Sequence, residues 1–481
     1  MTTRSLLTLG LLASTAFAAP NWAATSTTTV TKTKTTTEHE TKTKTTTVHE
    51  TKTKTETETK TTTLKPTVTV TGSCSASAPL SSSTSVSSTS SASTSASSSA
   101  SSATSSPSSV TSATATTSST TNTNPTITKT ATDVPTATAS GLNVAAKNAG
   151  KRWLGTAADI PGTGEGADPY YLAEFSNANE FGEATPANTM KFFATEPQQN
   201  VFNFTGGDYF VQQAKASGKE IRCHNLIWAN QLSDWVTSPA VPWTNATLTA
   251  ALRNHVTKVI EHFGDDCYSW DVVNEPLSDS PAGAWAANVW YNTIGEEYFF
   301  QAFDAATQAV KANNLAVKLY VNDYNIEYLG NKSIATQGLV KELKSRGLQI
   351  DGVGLESHFI AGETPAKADQ VANMQAFTAL DVDVVVTELD VRLDLPATAA
   401  SESQQKLDYY NTVAACVSVA RCVGVVVWDF VDTYSWIPST FPGQGYGDLF
   451  LQPGGANTPL VKKEAYDGVL EALEGLAEIA A

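Results

Sequence analysis

Two short segments carry the residues best suited to breaking bonds. In WDVVNEP, residues 270–276, an apolar, β-branched run ends at Glu275; in VVVTELD, residues 384–390, a second such run ends at Glu388. Either glutamate alone could be a helix N-cap or a solvated loop acid. Two of them at equivalent ends of different strands form a pair, and a carboxyl pair suits the cleavage of a glycosidic acetal. One carboxyl, kept protonated, gives its proton to the leaving oxygen; the other stays ionised and attacks the anomeric carbon or activates water. Rival chemistries are not spelled in the chain. There is no Gly-rich phosphate fingerprint and no zinc spacing, and none of the five cysteines has a nucleophile's setting. No metal or redox cofactor is expected. His39-Glu40 and His49-Glu50 recur, but inside a low-complexity repeat that reads as solvated chain rather than a metal site.

The two glutamates need a scaffold that turns strand ends toward one another. From about residue 152, short β-rich runs alternate with helical stretches. The runs are residues 153–156, 182–185, 220–227, 268–274, 317–322, 352–356, 382–388 and 423–428. Amphipathic segments at 248–263, 295–313, 333–346, 367–380 and 404–419 separate several of them. Eight strands alternating with helices give an α/β fold of the (β/α)8 TIM-barrel type, whose C-terminal strand ends form the reactive face. A doubly wound sheet is the structural alternative; it generally uses fewer strands and its phosphate loop is missing.

The rest of the 481 residues is organised around that barrel. Residues 1–18 read as a secretory signal peptide: Arg4, an apolar run at 6–12, and Ala16-Phe17-Ala18 as cleavage site. Residues 19–140 form a Ser/Thr-rich linker in which TKTKTTTEHE, TKTKTTTVHE and TKTKTETETK repeat every ten residues. So few large apolar side chains cannot offset chain entropy, and the segment is expected to be a disordered, O-glycosylated stalk. Residues 141–481 are the catalytic domain. A secreted, extracellular product is expected, held to the cell wall by its stalk or free of it. A net charge of −16 argues against nucleic acid or an anionic membrane as partner. In an oxidising compartment Cys416 and Cys422, six apart, suit a disulfide, and Cys223 and Cys267 form a second candidate pair; Cys74 is left over. Asn203, Asn245 and Asn331 begin N-glycosylation sequons outside the strands.

The chain resembles glycoside hydrolase family ten, the endo-β-1,4-xylanases. The resemblance runs from about residue 152 to 470 on TPANTMKF, RCHNLIWANQL, WDVVNEP, YVNDYNIE, DGVGLESHF, VVVTELDVR and VVVWDFVDTYSW, in the family's order. It implies that Glu275 is the acid/base and Glu388 the nucleophile of a retaining enzyme. Asn274 would bind the sugar 2-hydroxyl, and His358, backed by Asp390, would hold the nucleophile. His224 and Gln231 would be polar contacts, and Trp228, Trp428 and Trp436 aromatic walls, of the cleavage subsite. Asn188 and Lys191 match glycone-side contacts, Tyr324 and Asn325 the leaving-group side. The implied product is a monomeric hydrolase acting on plant cell-wall xylan. Ala187, Phe192, Ala229, Glu356 and Ile437 depart from the family's usual residues. Loss of an acid at 187 and a His at 229 removes groups expected to hold sugar hydroxyls, and the resemblance places Phe192 too at a position that contacts sugar in the glycone subsites. The same departures resemble a fungal subgroup that removes the sugar chain from the glycoalkaloid tomatine, so a glycosylated plant metabolite is the alternative substrate. A non-catalytic, wall-associated carbohydrate-binding barrel is a third reading, against which both glutamates stand.

Overall fold

The computed structural model of the protein describes residues 139–476 and, in the repeat segment, two strands, Lys34–Glu40 and Glu58–Leu64, paired antiparallel with Lys34 opposite Leu64. The leader, the remainder of the stalk and Cys74 lie outside the described residues.

From Trp153 onward the chain alternates strand and helix. The strands are β1 (Trp153–Ala158), β2 (Glu183–Pro186), β3 (Glu220–Cys223), β4 (Ser269–Asn274), β5 (Lys318–Asp323), β6 (Gly352–Leu355), β7 (Asp383–Asp394) and β8 (Cys422–Val427). Each pairs in parallel with the next. Gly155 lies opposite Glu183, Cys223 opposite Trp270, Asn274 opposite Asn322, and Leu355 opposite Asp323. Val386 beside Leu355, and Val427 beside both Leu389 and Thr156, complete the circle. The ring is a closed (β/α)8 TIM barrel.

Helix α1 (Leu142–Asn148) precedes β1. Helices α2 (Pro169–Phe175), α3 (Thr205–Ala216), α4 (Asn245–Phe263), α5 (Glu297–Ala312), α6 (Asn331–Ser345), α7 (Lys367–Thr378), α8 (Ala399–Ser418) and α9 (Glu464–Leu473) follow the eight strands in turn. Their inward stripes build one continuous core between helices and barrel. In α5, for example, Phe299, Phe303, Ala306 and Val310 recur at helical spacing and are all buried. Helices α4 and α8 begin three and five residues before their apolar patterns. Thr244 with Thr247, and Thr398 with Ser401, form capping boxes that satisfy the free N–H groups of an added turn. No helix among the described residues is long and apolar enough to cross a membrane.

Two strands differ instructively from expectation. Strand β3 stops at Cys223 rather than 227, where the His224 ring turns inward onto Asp271. Strand β7 runs six residues past Glu388, because its far half pairs with His358–Ile360 and Gln444–Gly445. Glu388 therefore sits inside a strand, held on both sides, and not at a free end.

The barrel interior is layered. Trp153, Tyr320, Val385 and Val426 form a separate apolar cluster inside the ring. Beside it are polar side chains, among them Glu183, Arg222, Asn322 and Thr387, all buried. Gly354 on β6 makes room for this layer: a Cβ there would collide with Asn322 Oδ1 and with the Thr387 methyl group.

Both candidate disulfides are present. Cys223–Cys267 joins the end of β3 to the entry of β4 across 44 residues, and Cys416–Cys422 closes the turn between α8 and β8 across six. Asn203, Asn245 and Asn331 are exposed, although the Asn245 amide already donates to the Ile294 carbonyl (3.0 Å). Loop-closure entropy scales with the residues enclosed, so the longer bridge is expected to contribute about 4 kcal/mol and the shorter about 2 kcal/mol. Chemical denaturation of Cys223→Ala/Cys267→Ala and Cys416→Ala/Cys422→Ala should show the first variant the less stable; the reverse order would refute an entropic origin.

Candidate active site

Glu275 follows β4 and Glu388 lies in β7, and three elements converge to hold them. Glu275 has φ 50°, the left-handed region that a β-carbon disfavours. Such backbone strain persists only where the surroundings over-determine it, and it occurs here at a candidate reactive group. A chain of amides links the two acids. Asn274 Nδ2 donates to Glu275 Oε1 (3.3 Å), while Asn322 Nδ2 donates toward Asn274 Oδ1 (2.8 Å) and Glu388 Oε1 (2.8 Å).

The environments of the two carboxyls differ in kind. Glu388 would be raised by burial, but the His224 imidazole, the His358 ring and the Arg222 guanidinium outweigh that and hold it well below the usual carboxylate range. Its contacts are His358 Nε2 at 3.3 Å from Oε2 and Arg222 at 3.3 Å from Oε1. Behind His358, Asp390 Oδ2 accepts from Nδ1 (2.8 Å) and from the Trp436 indole (2.7 Å). Burial alone would favour neutral His358; Asp390 and Glu388 overturn it and push the ring up to about 10, so it is an imidazolium. Behind Arg222 lies Asp271 (2.5 Å), which also takes His224 Nδ1 (2.9 Å). Glu275 lacks a comparable cation. Burial raises its pKa; the Trp228 indole opposes this, and the charge of Glu388 adds to it.

Around the two carboxyls the aromatic and polar side chains make the following contacts. His224 meets the Trp428 ring edge-on at 5.3 Å, and His358 lies 4.8 Å from the Trp436 ring. Lys191 Nζ is 4.8 Å from the centre of the Trp228 ring. It donates to Gln231 Oε1 (2.7 Å), and Gln231 Nε2 donates to Asn188 Oδ1 (2.7 Å), so these three form one polar edge. Asn188 is anchored in turn on Asp159 (2.9 Å). On the opposite side Tyr324 lies under Lys332 Nζ (3.6 Å to the ring centre), and Asn325 is exposed on a left-handed backbone, outside this network.

Phe192 corrects the sequence reading. It is not a groove residue: it is 2% exposed and stacks on His255 at 3.8 Å in the helix–barrel core. Of the departures tied to sugar contacts, Ala187 and Ala229 remain half-buried near the polar edge. Arg222, Asp271, Asn322 and Thr387 were not singled out from the sequence. Their signal is a charged, amide or hydroxyl side chain inside an otherwise apolar strand run.

A carboxyl raised by burial and a second held low by cations, tied together by amides and flanked by aromatic faces, are the working parts of acetal cleavage, and this barrel is accordingly that of a glycoside hydrolase. Comparison supplies the family. Residues 141–472 match the model for Glycosyl hydrolase family 10, and the chain belongs to that family. It is 49% identical over 333 residues to endo-1,4-beta-xylanase D of Talaromyces funiculosus, spanning 69% of this chain and 77% of that one. Among solved structures it is similar to a GH10 xylanase from Bispora sp. MEY-1 with xylobiose: 64% identity, TM-score 0.68, 69% of this chain and 99% of that one. It is likewise similar to the Penicillium canescens endo-1,4-beta-xylanase XylE: 54% identity, TM-score 0.66, 70% and 98%.

The opposite shifts of the two carboxyls predict a bell-shaped pH dependence of kcat/KM. Glu388 is held low, so its limb falls on the acid side of an ordinary glutamate (~4.3); Glu275 is raised, so activity is lost on the alkaline side as it ionises. His358→Ala should move the acid limb up by about one unit or more, since a cation beside a carboxylate is worth one to three units. An acid limb that stays in place would show that His358 does not hold Glu388 ionised.

Proposed function

We propose that the protein is a secreted, retaining endo-β-1,4-xylanase. The observation that carries this reading is the Glu275–Asn274–Asn322–Glu388 chain, which ties a carboxyl raised by burial to one held low by neighbouring cations. The xylan specificity draws support from the likeness to endo-1,4-beta-xylanase D of Talaromyces funiculosus and from the xylobiose in the Bispora structure.

In this mechanism Glu388 attacks the anomeric carbon while Glu275 gives its proton to the departing glycosidic oxygen. The carbon–oxygen bond breaks as the bond to Glu388 forms. The Glu275 carboxylate then takes a proton from water, whose oxygen displaces Glu388 from the same carbon, and both groups return to their starting states. Asn274, fixed between Glu275 and Asn322, is placed to meet a sugar hydroxyl beside the reacting carbon. Lys191, Asn188 and Gln231 hold the glycone side, Trp228, Trp428 and Trp436 wall the sugar face, and Tyr324 and Asn325 receive the leaving side. Secretion is supported by the signal-like leader and by two disulfides, which belong to an oxidising compartment.

On soluble xylan the expected early products are a ladder of oligosaccharides, with the β-anomer formed first by NMR. Release of single terminal sugars alone would refute endo action, and an α-anomer would refute retention. Glu388→Gln should lower kcat roughly 10⁴–10⁶-fold, as removal of other covalent nucleophiles does. Glu275→Ala should keep its rate of attack on aryl glycosides with activated leaving groups, which need no proton, and azide should yield the β-glycosyl azide.

A further inference from the structure

The two hydrogens of one amide are too few for the oxygens around it. Thr387 Oγ1 donates to Asn322 Oδ1 (2.7 Å), which fixes the carboxamide so that Nδ2 faces the other way. Three acceptors meet that nitrogen: Asn274 Oδ1 and Glu388 Oε1 at 2.8 Å each, and Glu356 Oε1 at 3.0 Å. A carboxamide nitrogen carries two hydrogens. The Asn274 amide cannot supply a third, because its own nitrogen is turned to Glu275. Glu388 cannot, because Arg222 and His358 keep it ionised.

Glu356 is in a different position. It is 2% exposed, and among the described residues no basic nitrogen pairs with it. The acids facing it come from every side: Glu388 on β7, Glu275 after β4, Asp323 at the end of β5 and Glu327 in the loop beyond. The nearby cations are committed elsewhere: His358 to Asp390 and Glu388, Lys332 of α6 to Asp323 (2.8 Å) and Asp279 (3.1 Å), Arg222 to Asp271, and Lys191 to Gln231. One oxygen of Glu356, one of Glu388 and a nitrogen of His358 lie within 4.8 Å of one another, a spacing compatible with metal ligands. Both His358 nitrogens already serve carboxylates, so the trio is better suited to holding a proton than a metal ion.

We propose that Glu356 is a neutral carboxylic acid that supplies the missing hydrogen to the oxygens gathered at Asn322, and so is a positioning residue for Glu388. Burial and the negative charge of Glu388 act in the same direction, pushing this carboxyl far above its ordinary range, and ionisation of Glu275, Asp323 or Glu327 would only raise it further. The neutral acid adds a donor without adding another anion beside Glu388. Only the catalytic consequence rests on Glu388 being the nucleophile.

Glu356→Gln keeps the shape and the donor but cannot ionise; Glu356→Leu removes the donor. Three measurements test the proposal. The infrared difference between wild type and Glu356→Gln at pH 7 should contain the carbonyl stretch of a neutral carboxylic acid; its absence overturns the proposal. A carboxyl raised by folding loses stability as pH rises. The unfolding constant of wild type relative to Glu356→Gln should therefore grow about tenfold per pH unit above the unfolded-state value of ~4.3. A constant ratio overturns it. For a positioning role, the acid limb of kcat/KM should stay near wild type in Glu356→Gln and move up by about one unit in Glu356→Leu; equal limbs in the two variants overturn that role. The first two measurements involve no turnover and need only Glu356→Gln, so they stand whether or not the protein cleaves xylan and whether or not Glu356→Leu folds.

Discussion

Two carboxyl groups must hold opposite protonation states within one small, water-poor space. Left to burial alone both would be neutral, since low polarity penalises the charged form of any acid. The structure breaks that symmetry by distributing cations unevenly. Arg222 and the His358 imidazolium lie against Glu388, whereas the indole of Trp228 faces Glu275. Each cation is in turn held by its own acid, Asp271 behind Arg222 and Asp390 behind His358. Positions, not residue types, separate the two glutamates.

That demand explains why the barrel interior is polar where a simple core would be apolar. Buried ion pairs are weak contributors to stability, because desolvation offsets their attraction. Arg222 and Asp271, paired inside the ring, are therefore poorly accounted for by folding. They make sense as the support of Glu388. The carbonyl of Thr387 accepts from Arg222 (3.2 Å) while its hydroxyl fixes Asn322, so the residue preceding Glu388 anchors both partners of the carboxylate. Strand β7 continues past Glu388 with partners on its far half, which denies the backbone there the freedom of a strand end.

The strands and the reactive pair are legible in the sequence because the same pattern announces both: a β-branched apolar run that stops at a carboxyl. His358 and Asp390 are legible through the motifs around them. The supporting residues are not. Asn322 meets Asn274 because β4 and β5 pair in a particular register, and Gly354 must lack a side chain for Asn322 to turn inward. Neither condition leaves a trace in local pattern, since both are agreements between strands distant in the chain. Phe192 shows the converse failure. It stands in a groove-forming motif, yet its ring points into the core against His255, because the one-turn helix Phe192–Thr195 presents that face to α4. A motif locates a segment; only packing decides which side of it faces the substrate.

Burial of acids elsewhere in the domain has its own consequence for the pH dependence of stability. Burial pushes Glu183 and Asp323 up to about 8 and Glu165 to about 7, and it raises Asp429 and Asp448 as well. For each of these acids the folded state binds its proton more tightly than the unfolded chain does, so stability is full at low pH and is lost as pH rises through the folded value. His358, raised to about 10, has the same sign: its stabilisation is present below ~6.5 and disappears as it deprotonates on the alkaline side. Glu388 and Asp168, the latter held near 2 by hydrogen bonds that outweigh its burial, have the opposite sign and give way only as pH falls through low values. The raised acids thus resist acid and yield to base, whereas His224, His255 and Lys219, lowered by burial, act in the opposite direction and destabilise the fold once they are protonated.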